Sequence, residues 1–145
     1  MHVIARLVAM VVLSLAVPAA QAQNRLPTER GLEVLVKASL LSFNDANVTG
    51  NYTVFHAKLS KPFRQQFSPE KLKQTFREFA EKDIDIIAAM KPTYEPAPLI
   101  DDNGKLIVKG SFPTEPARVV FELDFIPSDT EWKLVRINVK TTRAP

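Results

Sequence analysis

Residues 101–125 read DDNGKLIVKGSFPTEPARVVFELDF, and this stretch decides the fold. Val119, Phe121, Leu123 and Phe125 occupy every second position, with Glu122 and Asp124 between them, the period of a strand with one buried and one polar face. Leu106 to Phe112 forms the strand before it, and a loop holding Pro113 and Pro116 joins the two. Asn103-Gly104 suits a tight hairpin turn, in which both central residues need positive φ. Upstream, Pro92, Pro96 and Pro98 confine the segment around Tyr94 to Ile100 to an edge strand or extended arm, because proline donates no ladder hydrogen bond.

Downstream, a last strand begins at Trp132, and its parity slips. Trp132 and Leu134 share one face, whereas Ile137 and Val139 belong to the opposite parity. A bulge near Val135 and Arg136 brings all four to the core face and bends the strand. The outer face then carries Lys109, Arg118, Glu122, Asp124 and Lys140, a polar surface.

Before residue 90 the apolar spacing is helical. Thr28 caps a first helix, with Glu29 in its first turn. Leu32, Leu35, Val36, Ser39, Leu40 and Phe43 make its stripe, and NDANVTGN (44–51) ends it. A second helix carries Tyr52, Phe55, His56 and Leu59, and Pro62 breaks it after Ser60. Ser68-Pro69-Glu70 starts a third, continued by Leu72, Phe76, Phe79 and Ala80. Ile84 to Met90 is a short fourth helix or a strand. Helices first and an antiparallel meander after them make an α+β domain: three N-terminal helices on a curved sheet of about four strands.

The first residues set the address. Arg6 precedes an apolar run from Leu7 to Val17, and Ala20-Gln21-Ala22 forms an A-x-A site, so residues 1–22 read as a cleaved secretory signal. The run is too short for the roughly 20 apolar residues of a membrane span. The expected product is a single domain, 23–145, exported to the periplasm or secreted, with no membrane anchor once the signal is cut. All 16 acidic residues and all but one of the 19 basic ones belong to it, leaving the charge near neutral. The basic residues are scattered singly, which argues against a nucleic-acid surface. With no cysteine, a disulfide framework, a thiol nucleophile and a thiolate metal site are excluded.

FREFAEKDIDI (76–86), the 101–125 stretch and WKLVRINV (132–139), in this order, resemble small exported bacterial domains of the nuclear-transport-factor-2-like superfamily. The resemblance covers about Gly31 to Thr141 and rests on structural motifs. It implies a cone in which a strongly curved sheet wraps the first helix. The superfamily includes isomerases, dehydratases and polyketide cyclases using Asp, His and Tyr inside the cone, along with plain binding or dimerising modules. Fold alone does not choose among these.

The candidate site residues are few. His56 shares a helix face with Tyr52, so the two are the candidate ligand contacts; the structural alternative has the imidazole donating to a backbone carbonyl. Asp85 paired with Tyr52 or Tyr94 is the one carboxylate–tyrosine combination resembling an isomerase pair; alternatively Asp83 and Asp85 follow a helix end in water. DDNG lacks the further acids of a calcium loop and reads as a turn. Asn47-Val48-Thr49 and Asn51-Tyr52-Thr53 are formal glycosylation acceptors, meaningful only in a eukaryotic pathway. No metal, cofactor or catalytic motif follows from the sequence. The expectation is a non-catalytic module for a small apolar ligand or a partner protein. The alternatives are an isomerase- or cyclase-type enzyme with His56 or Asp85 as general base, and a homodimer without ligand. A cone filled by its own Phe and Leu side chains would remove the small-molecule reading and leave partner binding through the sheet's outer face.

Overall fold

The computed structural model describes residues 25–143; the signal reading for residues 1–22 lies outside them. Helix α1 spans Glu29–Thr49, and the Thr28 hydroxyl caps it by accepting from the Gly31 amide at 3.0 Å. The stretch expected to end α1 is instead its last turns, because its buried amides have partners. Asn44 donates to Asp83 at 2.8 Å and accepts from the Ile84 amide at 2.9 Å, while Asn47 accepts from the Tyr52 hydroxyl. Satisfied amides no longer compete with the helical backbone, and Gly50, at φ 72°, closes the helix.

The expected second helix is divided in two. Helix α2 is only Thr53–Ala57, and α3 runs Lys61–Gln66 with Pro62 in its first turn, where the missing N–H does no harm. Between them the chain touches the sheet: Leu59 forms a parallel bridge with Leu134, and the Ser60 amide donates to the Leu134 carbonyl at 2.7 Å. Helix α4, Pro69–Thr75, starts as expected, with Ser68 accepting from the Lys71 amide at 3.2 Å. Two 3₁₀ turns follow, Arg77–Phe79 and Asp85–Ala89, the second resolving the Ile84–Met90 ambiguity toward helix.

Five antiparallel strands complete the α+β fold: β1 Thr93–Tyr94, β2 Leu99–Ile100, β3 Leu106–Phe112, β4 Ala117–Ser128 and β5 Glu131–Arg143. The order is β1-β3-β4-β5, with β2 also on β3. The proline-rich arm thus forms two short edge pieces. Gly110 permits the first of them, since a Cβ there would meet the Thr93 carbonyl oxygen at 2.1 Å. The sheet is not closed or strongly curled, which corrects the cone. Four buried phenylalanines explain why no hollow is needed: Phe43 of α1 and Phe112, Phe121 and Phe125 of the sheet lie in one cluster with Leu40, Val108 and Leu123.

The expected bulge is present. Leu123 pairs with Ile137 and Asp124 with Arg136, yet Phe125 pairs with Leu134, so Val135 is the extra residue. Leu134 and Val139 are buried, and Trp132 and Ile137 pack half-buried on the same core. Asp124 departs from the expected wet face: it is buried, with Lys105 at 3.6 Å and Arg136 at 4.0 Å.

The turns exchange roles. Asn103 is not at positive φ; Gly104 alone is, at 77°, in a longer loop where the Asp101 carboxylate accepts from the Asn103 and Lys105 amides at 2.9 Å. The tight turn with two positive-φ residues lies at Asp129 (53°) and Thr130 (67°) between β4 and β5. A left-handed conformation costs a non-glycine residue about 1–2 kcal/mol, and β-branched Thr130 is poorly suited to it.

Thr130→Gly should therefore raise stability by about 1 kcal/mol, after allowing for the chain entropy of glycine, read as a higher urea midpoint with unchanged slope. Deleting Val135 brings Ile137 two positions from Leu134, so Trp132, Leu134, Ile137 and Val139 stay on the core face of a regular strand. We therefore expect the cooperative unfolding transition to persist, and its loss would show that the bend of the bulge itself is required.

Candidate functional site

An open apolar feature of the described surface is a cleft of about 440 Å³ where the N-terminal half of α1 faces the start of β5. Gly31, Val34, Leu35 and Ala38 recur at helical spacing along one side of α1 and form one wall. Trp132 and Leu134 of β5 form the other, and Phe125 lies at the base. The bulge at Val135 lets Trp132 and Leu134 point this way while the rest of β5 also serves the core. Val34 is 61% exposed, so this wall is open to solvent.

The cleft is poor in polar function. The Ser39 hydroxyl is committed to the Leu35 carbonyl at 2.8 Å. Lys58, Glu131 and Lys133 form the charged rim, and the Lys133 ammonium is 3.4 Å from Asp129. Asp129 also takes the Arg64 guanidinium at 3.3 Å. Arg64 first, and then Lys133, hold the Asp129 carboxyl below the usual carboxylate range. The arrangement can surround an apolar body and offers it a charged margin. Among the described residues no group of three or more His, Cys, Asp or Glu side chains is placed to hold a metal ion.

His56, Tyr52 and Asp85 lie elsewhere. The half-buried His56 has Nε2 3.4 Å from the Arg64 carbonyl oxygen, which ties α2 to α3. Tyr52 is buried; its hydroxyl donates to Asn47, its ring meets Phe55 edge-on at 6.3 Å, and burial raises its pKa. Asp85 is exposed at the start of its 3₁₀ turn, and Asp83 serves the Asn44 cap. His56 and Tyr52 are thus brought one turn apart, Tyr52 at the N-cap of α2 and His56 within it, whereas Asp85 is not brought to either, and none of the three lines the cleft. Asn47 is buried, so its sequon is closed, while Asn51 is exposed. Tyr94, the other tyrosine, has a buried hydroxyl without a partner among the described residues.

Trp132, Val34 and Ala38 were not singled out by sequence reasoning as site residues. One signal exists for Val34: it is apolar yet lies off the core stripe of α1, which leaves it exposed.

Burial, and then the nearby Glu33 and Glu29 carboxylates, push the Tyr94 pKa up from 10.0 to about 12. The neutral phenol is thus favoured by folding: its contribution is full below pH 10 and is lost as pH rises through about 12. A phenolate absorbance titration should show both tyrosines ionising later than a free phenol, and Tyr94→Phe should remove the component near pH 12. Since the hydroxyl has no partner, Tyr94→Phe should also leave stability unchanged or raise it by about 1 kcal/mol, whereas His56→Ala should lower it by about that amount.

No protein-family model, curated protein or solved structure matches the chain.

Proposed function

We propose that the protein is an exported, non-catalytic binding module of nuclear-transport-factor-2-like type whose α1–β5 cleft takes a small apolar molecule. The observation that carries this reading is the open apolar cleft itself, walled by Val34 and Ala38 on one side and Trp132 on the other. Its volume falls within the range that holds small-molecule ligands. The space beneath the sheet is filled by phenylalanines, which moves the ligand from the interior to the rim. The order of elements supports the superfamily assignment, and the N-terminal signal pattern supports export. No helix of the described residues is long and apolar enough to cross a membrane. A general-base enzyme would need substrate space at His56 or Asp85, and neither borders the cleft.

The test uses anilinonaphthalene sulfonate as an apolar fluorescent probe. Saturable binding should change the emission of Trp132, the sole tryptophan. Ala38→Trp, which fills the cleft from α1, should weaken binding about tenfold or more, a loss of about 1.4 kcal/mol, with an unchanged urea midpoint. Equal affinity in that variant would remove the cleft as the site.

A further inference from the structure

The last strand presents an edge that nothing described covers. β4 pairs with one side of β5 along its length. On the other side the Leu59–Leu134 bridge, with its Ser60 amide bond, occupies only the beginning. From Arg136 to Arg143 no described residue pairs with that side. A long run of free backbone donors and acceptors is a template for another strand, and the bridge shows that this edge already accepts a parallel segment where one reaches it.

The side chains define what the edge would take. After Glu131 the strand reads WKLVRINVKTTR, with Lys133, Arg136, Lys140 and Arg143 and no carboxylate. Arg136 is shared with Glu122 at 3.1 Å and Asp124 at 4.0 Å, while Lys140 and Arg143 make no ion pair among the described residues. Cross-strand register places Arg136, Asn138 and Lys140 on the outer face and Ile137 and Val139 on the inner one. Lysines on an edge also discourage pairing with like strands. A second copy would bring the same cations face to face, whereas an acidic strand would meet them with opposite charge.

We propose that residues 136–143 of β5 form a strand-addition site for an extended acidic segment of a partner protein, one that alternates acidic and β-branched residues. Backbone hydrogen bonds would supply the pairing. Carboxylates on the outer face would meet Arg136 and Lys140, and the alternate apolar residues would extend the cover beside Ile137 and Val139. This site is distinct from the cleft, which uses Trp132 and Leu134 at the other end of the strand.

The probe is a short end-blocked peptide alternating glutamate and valine, titrated into the mature protein and followed by amide hydrogen exchange. The expected result is saturable binding with new protection confined to residues 136–143. The double variant Lys140→Glu/Arg143→Glu, at exposed positions, should bind about tenfold more weakly with its urea midpoint preserved. The same peptide N-methylated at every residue, equal in charge but without donors on either edge, should not bind. Equal binding of the N-methylated peptide would overturn strand addition, since charge alone would then suffice. Absence of binding by the parent peptide would overturn the proposal outright, as would a dimer by sedimentation whose edge amides are protected before any peptide is added.

Discussion

One extra residue in β5 governs the rest of the structure. Were Val135 paired in regular alternation rather than bulged, the strand would present Trp132 and Leu134 on one face and Ile137 and Val139 on the other, and one pair would lie in water. A one-residue slip of this kind is what a bulge absorbs, at the cost of one unpaired position. Because it does, a strand of 13 residues can close the core beside Phe121 and Leu123 at one end and wall a cleft at the other. Leu134 is also where the α2–α3 connection reaches the sheet, so the bulge positions the helical layer as well as the sheet.

The polar interactions that support this arrangement differ in weight. The Asn44–Asp83–Ile84 cluster and the Asn47–Tyr52 bond are buried or partly so, and each satisfies a group that would otherwise oppose burial, a penalty of about 1–3 kcal/mol. They hold the end of α1 against α2 and the second 3₁₀ turn. The Arg64–Asp129–Lys133 cluster lies in water and contributes little by comparison. Its role is geometric: Asp129 sits in the tight β4–β5 turn, and its carboxylate keeps α3 over that turn.

Local signals were legible, and products of tertiary contact were not. Thr28 and Ser68 announced their helices because capping depends on the next three residues alone, and the parity slip around Val135 is visible along one strand. The extent of α1 was not legible, since Asn44 and Asn47 resemble helix terminators until their distant partners are known. The same limit explains the turns. Asn103-Gly104 has the better composition for a two-residue hairpin, yet strand pairing between β4 and β5 forces positive φ on Asp129 and Thr130. The spacing pairs His56 with Tyr52, and they do lie one turn apart at the start of α2, but their partners are backbone and Asn47. The cleft joins α1 to β5 across about a hundred residues, and spacing within either element does not reveal that meeting.

The filled core shapes where binding can reside. Phe43, Phe112, Phe121 and Phe125 occupy the space under the sheet, and removing any of them would cost about 3–5 kcal/mol, a large share of the stability of a domain this size. A ligand site built there would compete directly with folding. Val34 and Lys140 are exposed, and Trp132 is only half-buried, so changes at these positions touch recognition more than the fold. The two surfaces they mark, the cleft and the open edge, lie at opposite ends of the same strand. Their separation by the Val135 bulge means that either can be altered without moving the other, because the register of each half of β5 is set by its own pairing with β4.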